Sequence, residues 1–504
     1  MENQTIIGKE AKDLIQAQIT QHSEGLRNAL SNFNATSALM TLLEAIRSIE
    51  EIINLPKFEI KDEKIIKEFL ELRLEAFIPP KIENLYKALS EQFEAGTASR
   101  FANLVIMLPA IGLSFRMHGM CCGEEFRTLG SAITYLQSRR RQIVALLYCI
   151  PQECRGNNTI EPLDALNIFL PIVEYSCVNL TSLHQNLVLF KIYNDYKLTM
   201  CQNSFSGNYS LDTLSISSLE PERVGITEIP FENIESGALN YRMELKPDRV
   251  FSVPELCNDL LLIDSQYSEF KLGETEFGTM SCFIVACSRE ARDEYHIEIG
   301  EKKLEQLMNF FRLSKAARRH LIYTGKDYSD AINAYSPFIQ VGQKYFTTVT
   351  LLSRFAYHWK NICLNKIKRF QIRSGFIFEK QVKNELEKQG FMITDITRIE
   401  RQEFDVVAIK NDIIYNVQCK NNFVDLTRIS TSPNLFARYN KHLDRYYATA
   451  LLKEEGREEL LKKTLHLNKI KHVILSKFPI ATKNPRILPF REIENFSKKF
   501  SDHA

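Results

Sequence analysis

Glu403-Phe-Asp-Val-Val-Ala-Ile-Lys-Asn-Asp-Ile-Ile-Tyr-Asn-Val-Gln-Cys-Lys420 is the stretch on which the reading of this chain turns. Apolar and β-branched residues fill two arms around Asn411-Asp412, which predicts two β-strands joined by a tight turn. Asp405 stands near the start of the first arm, Gln418 and Lys420 near the end of the second. Side chains two apart on a strand share a face, so Gln418 and Lys420 project together. A hairpin that brings a carboxylate, an amide oxygen and an ammonium to one spot suits a divalent metal beside an activated water, the chemistry of phosphodiester cleavage.

The flanks extend the pattern. Upstream, Phe378, Val382 and Leu386 form an apolar stripe at helical spacing, with Ser374 expected as N-cap and Gly390 as C-terminal stop. Glu379 sits just off that stripe. The expected order is this helix, a strand from Phe391 to Ile399, the hairpin, a long helix from about Leu435, and the apolar run His472 to Ser476.

With Gly375-x-x-Phe378-Glu379 on the helix, Asp405-Val406 opening one strand and Val417-Gln418-Cys419-Lys420 ending the next, the last quarter of the chain resembles the PD-(D/E)xK nuclease superfamily. Within it, the Gln-x-Lys form resembles the Mrr-type restriction endonuclease branch. The resemblance implies a restriction-endonuclease-like α/β domain, a metal-dependent endonuclease using Mg²⁺ or Mn²⁺, DNA as partner, and a bacterial role in restriction of foreign DNA. It implies Glu379, Asp405, Gln418 and Lys420 as catalytic residues. The metal would be held by Asp405, Gln418, Glu379 and the main-chain carbonyl of Cys419. The family often carries small residues just before its Asp, where this chain has Glu403-Phe404, so Glu403 is either a further ligand or an exposed charge. Other classes the sequence leaves open are a nuclease for RNA or for branched or single-stranded intermediates, and a non-catalytic nucleic-acid-binding adaptor.

Charge supports a polyanion site at one end. Residues 361–504 carry 27 Lys and Arg against 17 Asp and Glu, a net of +10, while the remainder carries −8. Lys366, Lys368, Arg369 and Arg373 form a basic cluster before the motif, and Arg438, Lys441 and Arg445 a second on the later helix. Both sets are candidate phosphate contacts, and both are equally readable as solvated helix faces.

At 504 residues, two or three domains are expected. A mostly α-helical body is expected over residues 1–200, an α+β region over 201–350, a basic connecting helix over 351–373, and the nuclease domain over 374–504. Residues 202–253 read as loops and short strands. Thr279 to Cys287 reads as a buried strand, and Pro337 to Phe346 as a hairpin turning at Gly342. Pro151 is expected to end a helix. Eleven scattered cysteines without a C-x-x-C pair, and no secretory signal at the start, fit a cytoplasmic setting. The apolar run Leu104 to Phe115, interrupted by Pro109, is too short to span a bilayer, so no membrane partner is expected. No phosphate-loop, dinucleotide, zinc-protease or nucleophile-elbow motif is present, so any motor would belong to a partner. The helical body is the expected surface for a protein partner or activator, or for homo-oligomer formation.

Overall fold

A computed structural model describes residues 4–54, 70–74, 79–201, 204–209, 243–422, 424 and 432–501. The first part is helical, as the apolar periodicity requires: α1 Gly8–Leu30, α2 Ala35–Asn54, α3 Pro79–Gln92, α4 Ala95–Met117, α5 Leu129–Glu153, α6 Ala165–Ile172 and α7 Asn179–Ile192. A three-stranded sheet, β1 Gln4–Ile7 with β2 Lys197–Cys201 and β3 Ser204–Gly207, closes this part by bringing its two ends together. Pro151 lies within the last turn of α5 and does not stop it. The expected loop region from 202 to 253 lies mostly outside the described residues.

Two helical stretches, Ala95–Met117 and Pro162–Ile192, are long and apolar enough to cross a membrane by length and composition. The apolar run at Leu104 is thus part of a longer helix than expected. Half of the apolar window of the first stretch and 61% of the second are buried inside the fold, the pattern of core helices.

The middle region is α+β. Helices α8 Val253–Gln266, α9 Glu276–Ser288, α10 Glu301–Phe310, α11 Lys315–Leu321 and α12 Tyr328–Ala331 surround a sheet of order β4-β5-β7-β6. Its strands are Ala291–Arg292, His296–Gly300, Lys344–Thr348 and Ile339–Val341 in that order. The hairpin β6–β7 turns at Gly342, whose φ of +61° suits glycine. Thr279–Cys287, expected as a strand, is instead the body of α9. Thr275 caps it by accepting from the Phe277 N–H, and Phe277, Met280, Phe283, Ile284 and Cys287 are buried at helical spacing. A short run of mostly apolar residues does not by itself distinguish the two periods, and the Thr275 cap marks the helix start.

The connecting helix expected over 351–373 is two helices, α13 Val349–Leu364 and α14 Lys368–Lys388. The chain turns at Asn365 and is extended at Ile367, so the second helix starts six residues before Ser374. Ser374 is therefore not an N-cap. It is buried inside α14, donates to the Gln371 carbonyl and accepts from Asn421 Nδ2 at 2.7 Å, which pins the helix to the end of the key strand. Gly390, with φ of +79°, ends α14 as expected.

The strand expected from Phe391 to Ile399 is two short pieces, β8 Met392–Ile393 and β9 Arg398–Ile399, the latter pairing with β10 Gln402–Glu403. Then come β11 Val406–Lys410, β12 Ile413–Lys420, α15 Pro433–Glu455, α16 Glu458–Leu465, β13 Lys469–Ser476, β14 Ile487–Pro489 and α17 Phe496–Ser501. The sheet order is β14-β13-β12-β11-β8. β11 and β12 are antiparallel, with Val406 opposite Val417 and Lys410 opposite Ile413. Asn411 and Asp412 both have positive φ, 52° and 57°, the backbone that a two-residue turn needs to match strand twist. β13 lies parallel to β12, which requires a crossover, and α15 and α16 provide it.

Both faces of this sheet are covered. Val406, Ala408, Tyr415 and Val417 pack with Phe378, Val382 and Leu386 of α14. Val407 and Ile414, of opposite parity, pack with Phe404 and Leu461. A strand buried on both sides loses the apolar–polar alternation, and β12 accordingly opens with Ile413, Ile414 and Tyr415 in succession, all buried. The far side of α15 enters the core of the helical body: Phe436, Leu443, Tyr447 and Leu451 belong to the same apolar cluster as α1–α13.

Candidate active site

The pleat of β12 sorts its last residues. Val417 and Cys419 turn toward α14, and Gln418 and Lys420 toward α15. Register puts Asp405 across from Gln418, one step beyond the Val406–Val417 pair. Gln418 Nε2 donates to Asp405 Oδ2, and the Cys419 backbone N–H donates to the same oxygen at 2.8 Å. On the other edge of β12, the Lys420 carbonyl accepts from the Lys477 N–H. Backbone groups of successive residues point to opposite edges, so the Cys419 carbonyl lies on the Asp405 side.

Electrostatics bring in the remaining members. Burial raises the Asp405 carboxyl above its usual value, opposed by the Cys419 hydrogen bond, the Lys420 charge and the Gln418 amide. Glu379, on α14, is pushed up to about 7, first by burial and then by the charges of Asp405 and Glu403, with Lys383 opposing. Two partly buried carboxylates repelling each other form a local excess of negative charge that a cation would relieve. Glu403 itself is exposed and pairs with Arg398 at 3.0 Å, the behaviour of a surface charge.

Sequence reasoning missed several neighbours. Lys383 lies one turn after Glu379, a spacing legible in the sequence. Tyr446 of α15 holds its ring 5.6 Å from Lys420 Nζ. Asn416, one pleat behind Gln418, is buried and donates to Glu454 at 2.7 Å, and its Nδ2 also lies 3.2 Å from His472 Nδ1. Glu454 also raises Asp405, so the network reaches the site. The contacts of Tyr446 and Asn416 span crossovers that no local spacing announces.

Gln418 also behaves differently from expectation. Its amide nitrogen faces Asp405 and orients it, a role not read from the sequence, where its oxygen was expected to face a metal. Among the described residues no group of three or more His, Cys, Asp or Glu side chains is placed to hold a metal ion. The donors on offer are different in kind: two carboxylates, Asp405 and Glu379, and the Cys419 main-chain carbonyl, all hard oxygens that fit Mg²⁺ or Mn²⁺.

The basic candidates divide. Lys366 pairs with Glu276 and Arg369 with Glu269, each at 3.0 Å, so body glutamates already hold half of the first cluster. Lys368 and Arg373 are exposed on the first turns of α14. On α15, Arg438 and Arg445 are exposed, whereas Lys441 is half-buried. Lys441 lies seven residues after Asn434, which accepts from Lys191 of α7, so it turns toward the body.

No family model matches the chain, and no curated protein and no solved structure matches it.

Proposed function

We propose that this chain is a metal-dependent endonuclease that hydrolyses phosphodiester bonds of DNA, in restriction of foreign DNA. The observation that carries the reading is the convergence of Asp405, Gln418, the Cys419 backbone, Lys420 and Glu379 at one end of the β14-β13-β12-β11-β8 sheet. The order of helix, strand, antiparallel hairpin, helix and parallel strand also agrees with the restriction-endonuclease-like domain that the motif resembles.

Asp405, the Cys419 carbonyl and Glu379 would hold Mg²⁺ or Mn²⁺, with Gln418 keeping Asp405 turned so that Oδ1 faces the cation. A bound cation of this kind supplies charge neutralisation at the scissile phosphate and an acidified water. Lys420 stands on the same face as Gln418, where its ammonium hydrogen-bonds the attacking water and offsets charge growing on the phosphate oxygens. Asp405 feels the Lys420 charge, so the two side chains meet at the end of the strand. The excess of basic side chains in residues 361–504 supports a phosphate-lined approach.

The test is cleavage of plasmid DNA in Mg²⁺ or Mn²⁺ by wild type, Asp405→Ala and Lys420→Ala. Each variant should lose roughly a hundredfold or more in rate while retaining its fold. Undiminished cleavage by folded Lys420→Ala sinks the proposal.

A further inference from the structure

The outer edge of α15 alternates rings and cations beside the candidate site. Tyr439 and Tyr446 are exposed at 37% and 47%, and Leu435 at 48%. Seven residues separate the tyrosines, so they share one face and stand roughly 10 Å apart along the helix. Arg438 and Arg445, also seven apart, form an exposed row next to them. Phe436, Leu443 and Tyr447, about a quarter-turn round the helix, enter the core, which fixes the rotation of α15 and leaves the tyrosines partly exposed at its rim. Tyr446 lies against Lys420 Nζ, so its ring is within a nucleotide's length of any phosphate that Lys420 addresses.

Resting on the nuclease reading, we propose that the site takes its DNA as an unpaired strand: Tyr446 stacks on the base next to the scissile phosphate, and Tyr439 offers a second ring further along. Arg438 and Arg445 lie beside the rings, where they meet the phosphates of that strand. In a duplex the base faces are covered by their neighbours, and a ring approaching from outside meets only edges and backbone. A splayed or single-stranded base exposes its π-face, and stacking on tyrosine is sequence-tolerant. Rings interleaved with arginines along one helix face give a strand both the stacking platform and the charge it needs.

The experiment uses the full chain in EDTA, so that nothing is cleaved, with a labelled thymidine oligomer and a duplex of equal length. Wild type, Tyr446→Ala and Tyr446→Phe are compared. The alanine variant should lose roughly tenfold in affinity for the single strand and less than about twofold for the duplex. The phenylalanine variant should bind the single strand as wild type does. Unchanged single-strand binding by Tyr446→Ala overturns the proposal, even if its cleavage falls, because the ring would then only position Lys420. Equal loss on both substrates overturns it as well. Because binding is read without metal, this test fails or succeeds separately from the nuclease reading, which stands or falls on cleavage by Lys420→Ala.

Discussion

Replacing Glu379 by Gln should make the metal-free protein more stable above neutral pH while weakening its chemistry. Burial and the neighbouring Asp405 push this carboxyl from an ordinary 4.5 up to about 7. A shift of about 2.5 units corresponds to roughly 3 kcal/mol at 1.36 kcal/mol per unit. Glu379 is only half-buried, so solvent screening reduces this to about 1–2 kcal/mol. The sign follows from proton linkage: between pH 4.5 and 7 the folded state holds a proton that the unfolded state has released. The stability that this proton carries is complete below about 4.5 and is lost as pH rises through about 7. Wild type in EDTA should therefore lose about 1–2 kcal/mol over that window, which Glu379→Gln should not lose. Urea unfolding in EDTA at pH 5 and pH 8 measures the difference. Adding Mn²⁺ at pH 8 should restore stability to wild type and much less to the variant, which lacks the carboxylate. Cleavage by wild type should decline below about pH 7 as Glu379 is protonated. If both proteins show the same pH dependence of unfolding in EDTA, the carboxylate crowding inferred here is wrong.

Gln418→Leu removes the donor that orients Asp405 and should lower the cleavage rate by at least about tenfold with little change in unfolding. Gln418→Glu faces Asp405 with a second carboxylate, so any activity it keeps should move to higher pH, and an unshifted pH profile counts against the Gln418–Asp405 contact. Removing the body's hold on the first basic cluster with Glu269→Gln and Glu276→Gln should tighten DNA binding at low salt. The salt slope should steepen by about 0.9 for each freed cation that meets a phosphate. An unchanged slope in a filter-binding titration would show that Lys366 and Arg369 do not reach DNA.

The hairpin was legible because its information is local. Asn411-Asp412 dictates the turn, the turn dictates the register, and the register sets Asp405 opposite Gln418. The α14 stripe of Phe378, Val382 and Leu386 was legible for the same reason. What failed was the choice between periods where a segment is short and mostly apolar, as at Thr279–Cys287, and the placing of a helix start where no strong cap is present, as at Ile367. Ser374 looks like a cap by residue type, yet its hydroxyl is satisfied inside the helix and by Asn421 across 47 residues. The site's outer wall was not legible at all. Tyr446 and Glu454 reach β12 only through the parallel crossover, and local spacing does not say which residues of a crossover helix will face which strand.

The charge asymmetry along the sequence has a structural counterpart that changes its meaning. An acidic body and a basic end need not be separate bodies, and here they share one core through Phe436, Leu443 and Tyr447 of α15. Glutamates of the middle region meet two of the first cluster's cations directly, so part of the positive charge counted in residues 361–504 is neutralised before any nucleic acid arrives. Exposed pairs of this kind are weak, on the order of 1 kcal/mol or less, and a polyanion at low salt competes with them readily. The arginines of α15 lie on the face away from the body and need no such exchange. Strand binding should therefore begin along α15 and reach Lys366 and Arg369 second, with the two glutamates setting how much DNA affinity the first cluster adds. That ordering places Tyr446, and with it Lys420, at the point of first contact.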